Sequence, residues 1–330
     1  MVLKRIKSLL LTVVIFGACI TAVGFVPRDT GYDYTVGIVQ LVRHSALDAA
    51  TQGFTDSLTE RIQAAGKTVK IDYQDAQNET VNCSVIANNF VAKKYDLIMA
   101  NATAALQACY NATEQIPILG TSVTVYDVAL GLTDYNAAEG TGTNVSGTSD
   151  LAPLAEQANM IAELVPSARK VGLLYCSSEA NSRYQVEEVA RCLEEMNMGY
   201  ECEFYAFSDS NDLSAVVEKM AAESEVVYVP TDNTVASNTQ LINSICSRER
   251  IPVVAGEEGI CSGCGIATLS ISYYNLGVRT AEIAARILLD GESVGDIPIA
   301  YDDSPVKKYN AEICEELGIA VPDDYEPIGG

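Results

Sequence analysis

Val36-Gly37-Ile38-Val39 returns 135 residues later as Val171-Gly172-Leu173-Leu174. Ile116-Pro117-Ile118-Leu119 returns at the same interval as Ile251-Pro252-Val253-Val254. Within each copy the two motifs enclose the same order of segments: apolar run, helical run, apolar run, helical run. A third apolar run comes late in each, at 97–100 and at 226–229. Short apolar, β-branched runs of this kind read as strands buried on both faces. Alternation with amphipathic helices makes them parallel strands of a covered sheet. The expected fold is therefore α/β, with two similar doubly wound lobes and a cleft between them. Such an architecture holds a small ligand by closing on it.

Working outward, the first copy reads as strands over 35–41, 69–72, 97–100 and 116–119, with helices over 46–65, 80–94 and 103–112. The first helix stops at Gly66, a residue suited to a helix C-terminus. The stretch 140–149 is rich in Gly, Thr and Ser and reads as the first crossing between lobes. The second copy reads as strands over 170–175, 200–206, 226–230 and 251–255. Its helices fall over 182–196, 213–222 and 237–248. A further strand at 265–270, an amphipathic helix at 276–289, a strand at 297–301 and a helix at 308–317 follow.

The chain has 330 residues, enough for two domains with their own cores. A net charge of −23 argues against nucleic acid, because nothing would neutralise phosphates. His44 is the sole histidine, so histidine-based metal or acid–base centres are poorly supported, and no cofactor is implied. Lys4, Arg5 and Lys7 precede an 18-residue, almost unbroken apolar stretch from Leu9 to Val26. Residues 1–26 thus read as a signal peptide or a membrane or lipid anchor. Lipidation of Cys19, cleavage near Gly24 and an uncleaved anchor all remain open. Each places the folded part outside the cytoplasm, at the cell surface or in the periplasm. Nine of the ten cysteines follow the leader, an odd number that cannot all pair within one chain. Cys261-Ser262-Gly263-Cys264 is a single CxxC, read as a local disulfide or two thiols rather than zinc, which needs more ligands.

Ligands of parallel α/β sheets bind beyond the carboxyl ends of the strands. That rule selects six loops. In the first half these are Val42-Arg43-His44-Ser45, Asn101-Ala102-Thr103 and Gly120-Thr121-Ser122. In the second half they are the loop 176–182 with Glu179, Asn181 and Ser182, then Thr231-Asp232-Asn233-Thr234, then Gly256-Glu257-Glu258. Small hydroxyl and amide residues at helix starts cap the helix, or leave backbone N–H groups for an anion. Asp232 follows a buried strand, where it can pair with a ligand ammonium or simply cap a helix. No GxxxxGK[ST] phosphate loop occurs, which excludes a transport ATPase, and no GxSxG elbow occurs.

At these loops the chain resembles the substrate-binding components of bacterial ABC transporters, specifically the TrpX-like family linked to aromatic amino acids. The similarity runs from Tyr34 to Pro322. It rests on Val36-Gly37-Ile38-Val39-Gln40 with Leu47-Asp48-Ala49-Ala50 and Gly53-Phe54, on Gly120-Thr121-Ser122-Val123-Thr124, and on Asn144-Val145-Ser146-Gly147-Thr148-Ser149-Asp150. Glu179-Ala180-Asn181-Ser182 and the stretch from Glu163-Leu164-Val165-Pro166 to Lys170-Val171-Gly172 complete it. The resemblance implies a type I periplasmic-binding fold with a three-crossing hinge. The lobes would be 34–148 plus about 274–297, and 149–273 plus about 298–330. It implies a free amino acid as ligand, an ABC permease and its ATPase as partners, a monomeric protein, and membrane attachment through the N-terminus only. Asp232 would meet the ammonium. Glu179, Asn181 and Ser182 would line the second lobe, and Thr103, Thr121 and Ser122 would donate to the carboxylate. His44 and Glu257 belong to loops of the same cleft.

The chain departs from the family pattern at Cys176, where Asn is usual, and at Cys261 and Cys264. It has no Trp, so an aromatic ligand would need Tyr or Phe walls. Two other readings share the architecture. One is a sensor domain for a receptor. The other is a racemase-type enzyme, which needs two cysteines facing each other across the cleft. Cys176 suits one side, but Leu41 occupies the matching place on the other.

Overall fold

The computed structural model describes residues 31–133, 135–301 and 305–329. The leader and Cys19 lie outside the described residues. From Tyr34 onward the chain forms one compact unit built on two sheets.

The first sheet begins with β1 (Tyr34–Gln40), which is almost wholly buried. Helix α1 (Ser45–Ala64), β2 (Val69–Asp75), α2 (Thr80–Ala92), β3 (Leu97–Asn101) and α3 (Thr103–Ala112) follow. Then come β4 (Ile118–Val123), the short α4 (Tyr126–Leu130) and β5 (Val145–Ser149). The second sheet takes α5 (Leu154–Leu164), β6 (Lys170–Cys176), α6 (Ala180–Glu195), β7 (Glu201–Phe207), α7 (Ser210–Glu223) and β8 (Val226–Val229). It continues with α8 (Asn233–Ala236), α9 (Thr239–Glu249), β9 (Val253–Ala255), α10 (Glu258–Cys264) and β10 (Ala267–Ser270). Helix α11 (Tyr273–Ala285) runs into a π-turn at Arg286–Asp290 and stops at left-handed Gly291. The last elements are β11 (Ala300–Tyr301), β12 (Val306–Tyr309), α12 (Ala311–Leu317) and β13 (Glu326–Pro327).

The strand orders are β11-β5-β4-β3-β1-β2 and β13-β12-β10-β9-β8-β6-β7. Among the described residues every pairing between these strands is parallel except β10 with β12. Both sheets are thus doubly wound, as the repeat implied, and each carries an apolar core on both faces. The order reverses between β1 and β3 in one sheet and between β6 and β8 in the other. Those are the switch points where α/β sheets open a crevice.

The glycine shared by the two copies has one physical role. A Cβ on Gly37 would lie 2.4 Å from the Phe90 ring, and one on Gly172 would lie 2.4 Å from Ser224 Oγ. Each glycine lets a helix settle directly on its strand. Phe90 is itself stacked on Tyr95, with ring centroids 4.7 Å apart, so its ring has little room to retreat. Gly37→Ala should therefore cost about 1–3 kcal/mol, read as a lower denaturation midpoint. An unchanged midpoint would show that α2 can slide outward freely.

Four parts of the sequence reading change. The strand expected at 116–119 runs instead from Ile118 to Val123, so Thr121 and Ser122 end a strand rather than form a loop. Residues 145–149, read as part of a crossing, form β5, and the chain leaves the first sheet only at Asp150. Their Ser and Thr side chains are buried because partners await them. Ser146 Oγ donates to the Ile297 carbonyl and Ser149 Oγ to the Thr124 carbonyl. Ala300–Tyr301 pairs with β5, so the first sheet keeps the chain to 301 instead of losing it near 298. Lys308 lies in β12, not in a helix, because the short segment pairs with β10. All nine cysteines of the described residues are free thiols, Cys261 and Cys264 included.

The chain passes between sheets after Ser149, after Ser270 and after Tyr301. The second passage returns α11 to the first lobe, where it packs on α1 with two reciprocal glycine contacts.

Candidate ligand-binding site between the lobes

The two switch points face each other across one small pocket. It is lined from the first lobe by His44, Leu47 and Ser122, and from the crossings by Asp150 and Tyr273. Asn181, Thr231, Asp232, Asn233, Ala236 and Glu257 line it from the second lobe. Five of the residues expected from sequence therefore meet here: His44, Ser122, Asn181, Asp232 and Glu257.

The other four sit behind the walls. Thr121 Oγ1 bonds Thr148 Oγ1 at 3.1 Å, which in turn meets Thr280 on α11. It faces the core, not the pocket. Thr103 starts α3, with a buried hydroxyl that has no hydrogen-bond partner among the described residues. Ser182 is buried and bonds the Asp232 carboxylate. Glu179 accepts four hydrogen bonds, from the backbone N–H groups of Asn233 and Thr234 and from their side chains, at 2.7–2.9 Å. A carboxylate has about four acceptor positions. Glu179 thus fixes the start of α8 and the two residues that face the other lobe.

Those two residues carry contacts across the cleft. His44 Nε2 meets Asn233 Oδ1 at 3.2 Å, and Asn78 Nδ2 donates to Thr234 Oγ1 at 3.1 Å. An amide oxygen only accepts, so the His44 proton is assigned to Nε2 and its Nδ1 is left as an acceptor. Burial pushes the imidazole below its ordinary value, which keeps the ring neutral at pH 7.

Of the pocket's lining residues, Ser122 has φ 54° at the end of β4; Ala102, at the end of β3, has φ 95°. Non-glycine residues held at positive φ cost free energy, and such strain concentrates at functional sites.

Asp232 caps α8. Its Oδ1 accepts from the Val235 N–H at 2.9 Å, and its Oδ2 accepts from the Cys176 N–H at 2.7 Å. Burial, reinforced by the nearby Glu179 charge, raises its pKa well above the usual carboxylate range. Glu257 caps α10 through the N–H groups of Gly259 and Ile260. Burial pushes its pKa up to about 7, from an ordinary 4.5. The folded protein therefore holds a proton on Glu257 that the unfolded chain has already released over that interval. This group's contribution to stability is full below its unfolded value and is lost as pH rises through about 7. The melting temperature should accordingly fall between about pH 5 and about pH 8, and Glu257→Gln should flatten the fall. Equal slopes in the two proteins would remove Glu257 as the source.

Asp150 and Tyr273 were not picked out as site residues from sequence. Tyr273 Oη donates to Asp150 Oδ2 at 2.9 Å, joining the first crossing to the second. Asp150 closes a Gly-Thr-Ser run that reads as linker, and its place as the last residue of the family-like stretch from Asn144 to Asp150 is the one sequence signal that could flag it.

The pocket's unfilled space is about 10 Å³, room for about one water-sized group. A larger cavity of about 540 Å³ adjoins it, and Glu257 and Tyr273 line both. Among the described residues no group of three or more His, Cys, Asp or Glu is placed to hold a metal. Among the described residues no cysteine lines the pocket. Cys176 turns its Sγ to Ser178 Oγ at 3.0 Å, away from the arrangement a racemase needs.

Two doubly wound lobes joined by three crossings, with a polar pocket at both switch points, define a type I periplasmic-binding fold. Residues 35–326 match the family of ABC transporter substrate binding proteins, and the chain belongs to that family. It is a binding protein, not an enzyme. A tyrosine-binding protein of Clostridioides difficile (strain R20291) is 38% identical over 289 residues, 88% of this chain and 82% of that one. The solved ABC domain in complex with L-Trp from Streptococcus pneumonia is 29% identical, with a TM-score of 0.81. That match covers 88% of this chain and 96% of the other. The ligand-free, open structure of a substrate binding protein with adhesive properties from Clostridium difficile is 35% identical, with a TM-score of 0.65. It covers 89% of this chain and 99% of that one.

Proposed function

We propose that this protein captures a free amino acid, with tyrosine, tryptophan and phenylalanine foremost, and delivers it to an ABC permease for import. The observation that carries the reading is the pocket itself. Buried carboxylates and polar atoms without protein partners converge at the switch points of two lobes. Its relatives named for tyrosine and crystallised with L-Trp point to the aromatic amino acids.

Capture works by closure of the lobes about the three crossings. The structure follows the L-Trp complex more closely than the open, ligand-free relative, although its sequence is nearer the latter. That order fits a closed form. A ligand that touches both lobes only when they are closed shifts the balance toward closure, and the closed shape is what the permease recognises. Asp232 and Asn181 would meet the ligand from the second lobe, and Ser122 and His44 from the first. The N-terminal segment with Cys19 would export the chain and hold it at the membrane, where it acts as a monomer beside the permease and its ATPase.

A thermal-shift panel of the amino acids, with sugars and nucleosides beside them, tests the ligand class. Only ligands that bind the native state raise the melting temperature. The expected result is a shift with tyrosine, tryptophan or phenylalanine. A shift with a sugar and with no amino acid would discard the ligand class.

A further inference from the structure

We propose that the small pocket is a seat for a primary ammonium group, with Asp150 on the first crossing as its counter-ion. The inference deepens the amino-acid reading above and rests on it.

Four buried carboxylates surround the cleft, and their oxygens are unequally engaged. Glu179 is filled by four donors, and Asp232 and Glu257 each hold two backbone N–H groups. Asp150 is 4% exposed, Tyr273 donates to its Oδ2 and the Thr124 hydroxyl lies beside the carboxyl, while its Oδ1 has no partner of good hydrogen-bond geometry among the described residues. Two more atoms of the same pocket share that condition: Ser122 Oγ, on a residue 6% exposed, and His44 Nδ1. Buried polar atoms are almost always paired, so three orphans around one space point to a ligand.

The chemistry of the three atoms says which group they await. Asp150 Oδ1 accepts. His44 Nδ1 accepts, because Nε2 carries the proton toward Asn233. Ser122 Oγ can accept. A primary ammonium presents three N–H donors and no acceptor. It is close in size to the water-sized space that the pocket offers. No Lys or Arg lines the pocket among the described residues, so nothing else there neutralises Asp150. The remainder of the ligand extends past Glu257 and Tyr273, the two residues shared with the larger cavity.

The placement explains how capture reaches the hinge. Asp150 and Tyr273 sit on different crossings and are bonded to each other. An ammonium on Asp150 would therefore fix both crossings while the lobes close.

Calorimetry with L-tyrosine, with tyramine (the amine without the carboxylate) and with 3-(4-hydroxyphenyl)propionate (the carboxylate without the amine) tests this on the purified protein. The wild type should retain tyramine and lose the propionate. Asp150→Asn should weaken L-tyrosine roughly 100-fold or more, because an amide N–H would confront the ammonium. Equal affinity for L-tyrosine and the propionate, or an Asp150→Asn protein that binds L-tyrosine as well as wild type does, overturns the ammonium seat. The analogue comparison needs only the wild type, so it decides the matter even if Asp150→Asn does not fold. Wild type that binds none of the three compounds, and neither L-tryptophan nor L-phenylalanine, overturns the amino-acid reading, and this inference with it.

Discussion

Gly277→Val should leave little folded protein. A Cβ at Gly277 would lie 2.0 Å from the Ala50 carbonyl oxygen, and one at Gly53 would lie 2.1 Å from the Tyr274 carbonyl oxygen. Helices α1 and α11 thus approach backbone to backbone at two reciprocal points. Neither obstacle is a side chain that can turn aside. Added bulk in a packed interior costs about 1–3 kcal/mol where neighbours relax, and more where they are main chain. Here the contact also anchors the second crossing, since Ile271, Tyr273 and Leu276 pack with Ala46 and Ala50 immediately beside it. The loss should exceed about 3 kcal/mol, visible as low soluble yield and an early denaturation midpoint. A variant with wild-type stability would mean that the two helices can separate without cost.

Glu179→Ala is the second large effect, and it is electrostatic in origin. The substitution strips the acceptor from two backbone N–H groups and two side chains that are buried around it. Hydrogen bonds to a charged group contribute about 1.5–3 kcal/mol each and do not simply add, so a total near 3–5 kcal/mol is expected. Asn233 and Thr234 would also lose their footing, and with them the contacts to His44 and Asn78 across the cleft. Ligand affinity should fall with stability even though Glu179 does not line the pocket. Glu179→Gln, which retains one acceptor oxygen, should recover part of both. A loss below about 1 kcal/mol in the alanine variant would contradict the role given to Glu179.

The repeat made the two lobes legible before any coordinates. Val36-Gly37 and Val171-Gly172 are apolar because their strands are covered on both faces, and they share a glycine because a helix must settle on each. The errors have an equally local cause. Gly120-Thr121-Ser122 and Val145–Ser149 look like turns by composition, yet apart from that of Ser122 their hydroxyls are absorbed by neighbours such as Thr148, Thr280 and the Thr124 carbonyl. Polar residues inside a buried strand are invisible to a reading that expects apolar runs. In the site, rules about strand ends found Asp232, Asn181, Glu257, Ser122 and His44. They could not say which oxygen of which carboxylate is already engaged. Asp150 keeps an oxygen free and Glu179 does not, and that difference exists only once Tyr273 and α8 are in place.

Isothermal titration of the purified protein with L-tyrosine, L-tryptophan and L-phenylalanine tests the central claim most directly, because it reports stoichiometry and affinity together. Binding of at least one of the three, at one ligand per chain and with micromolar or tighter affinity, is the predicted result. No heat of binding with any of them, from protein shown to be folded, would contradict the account.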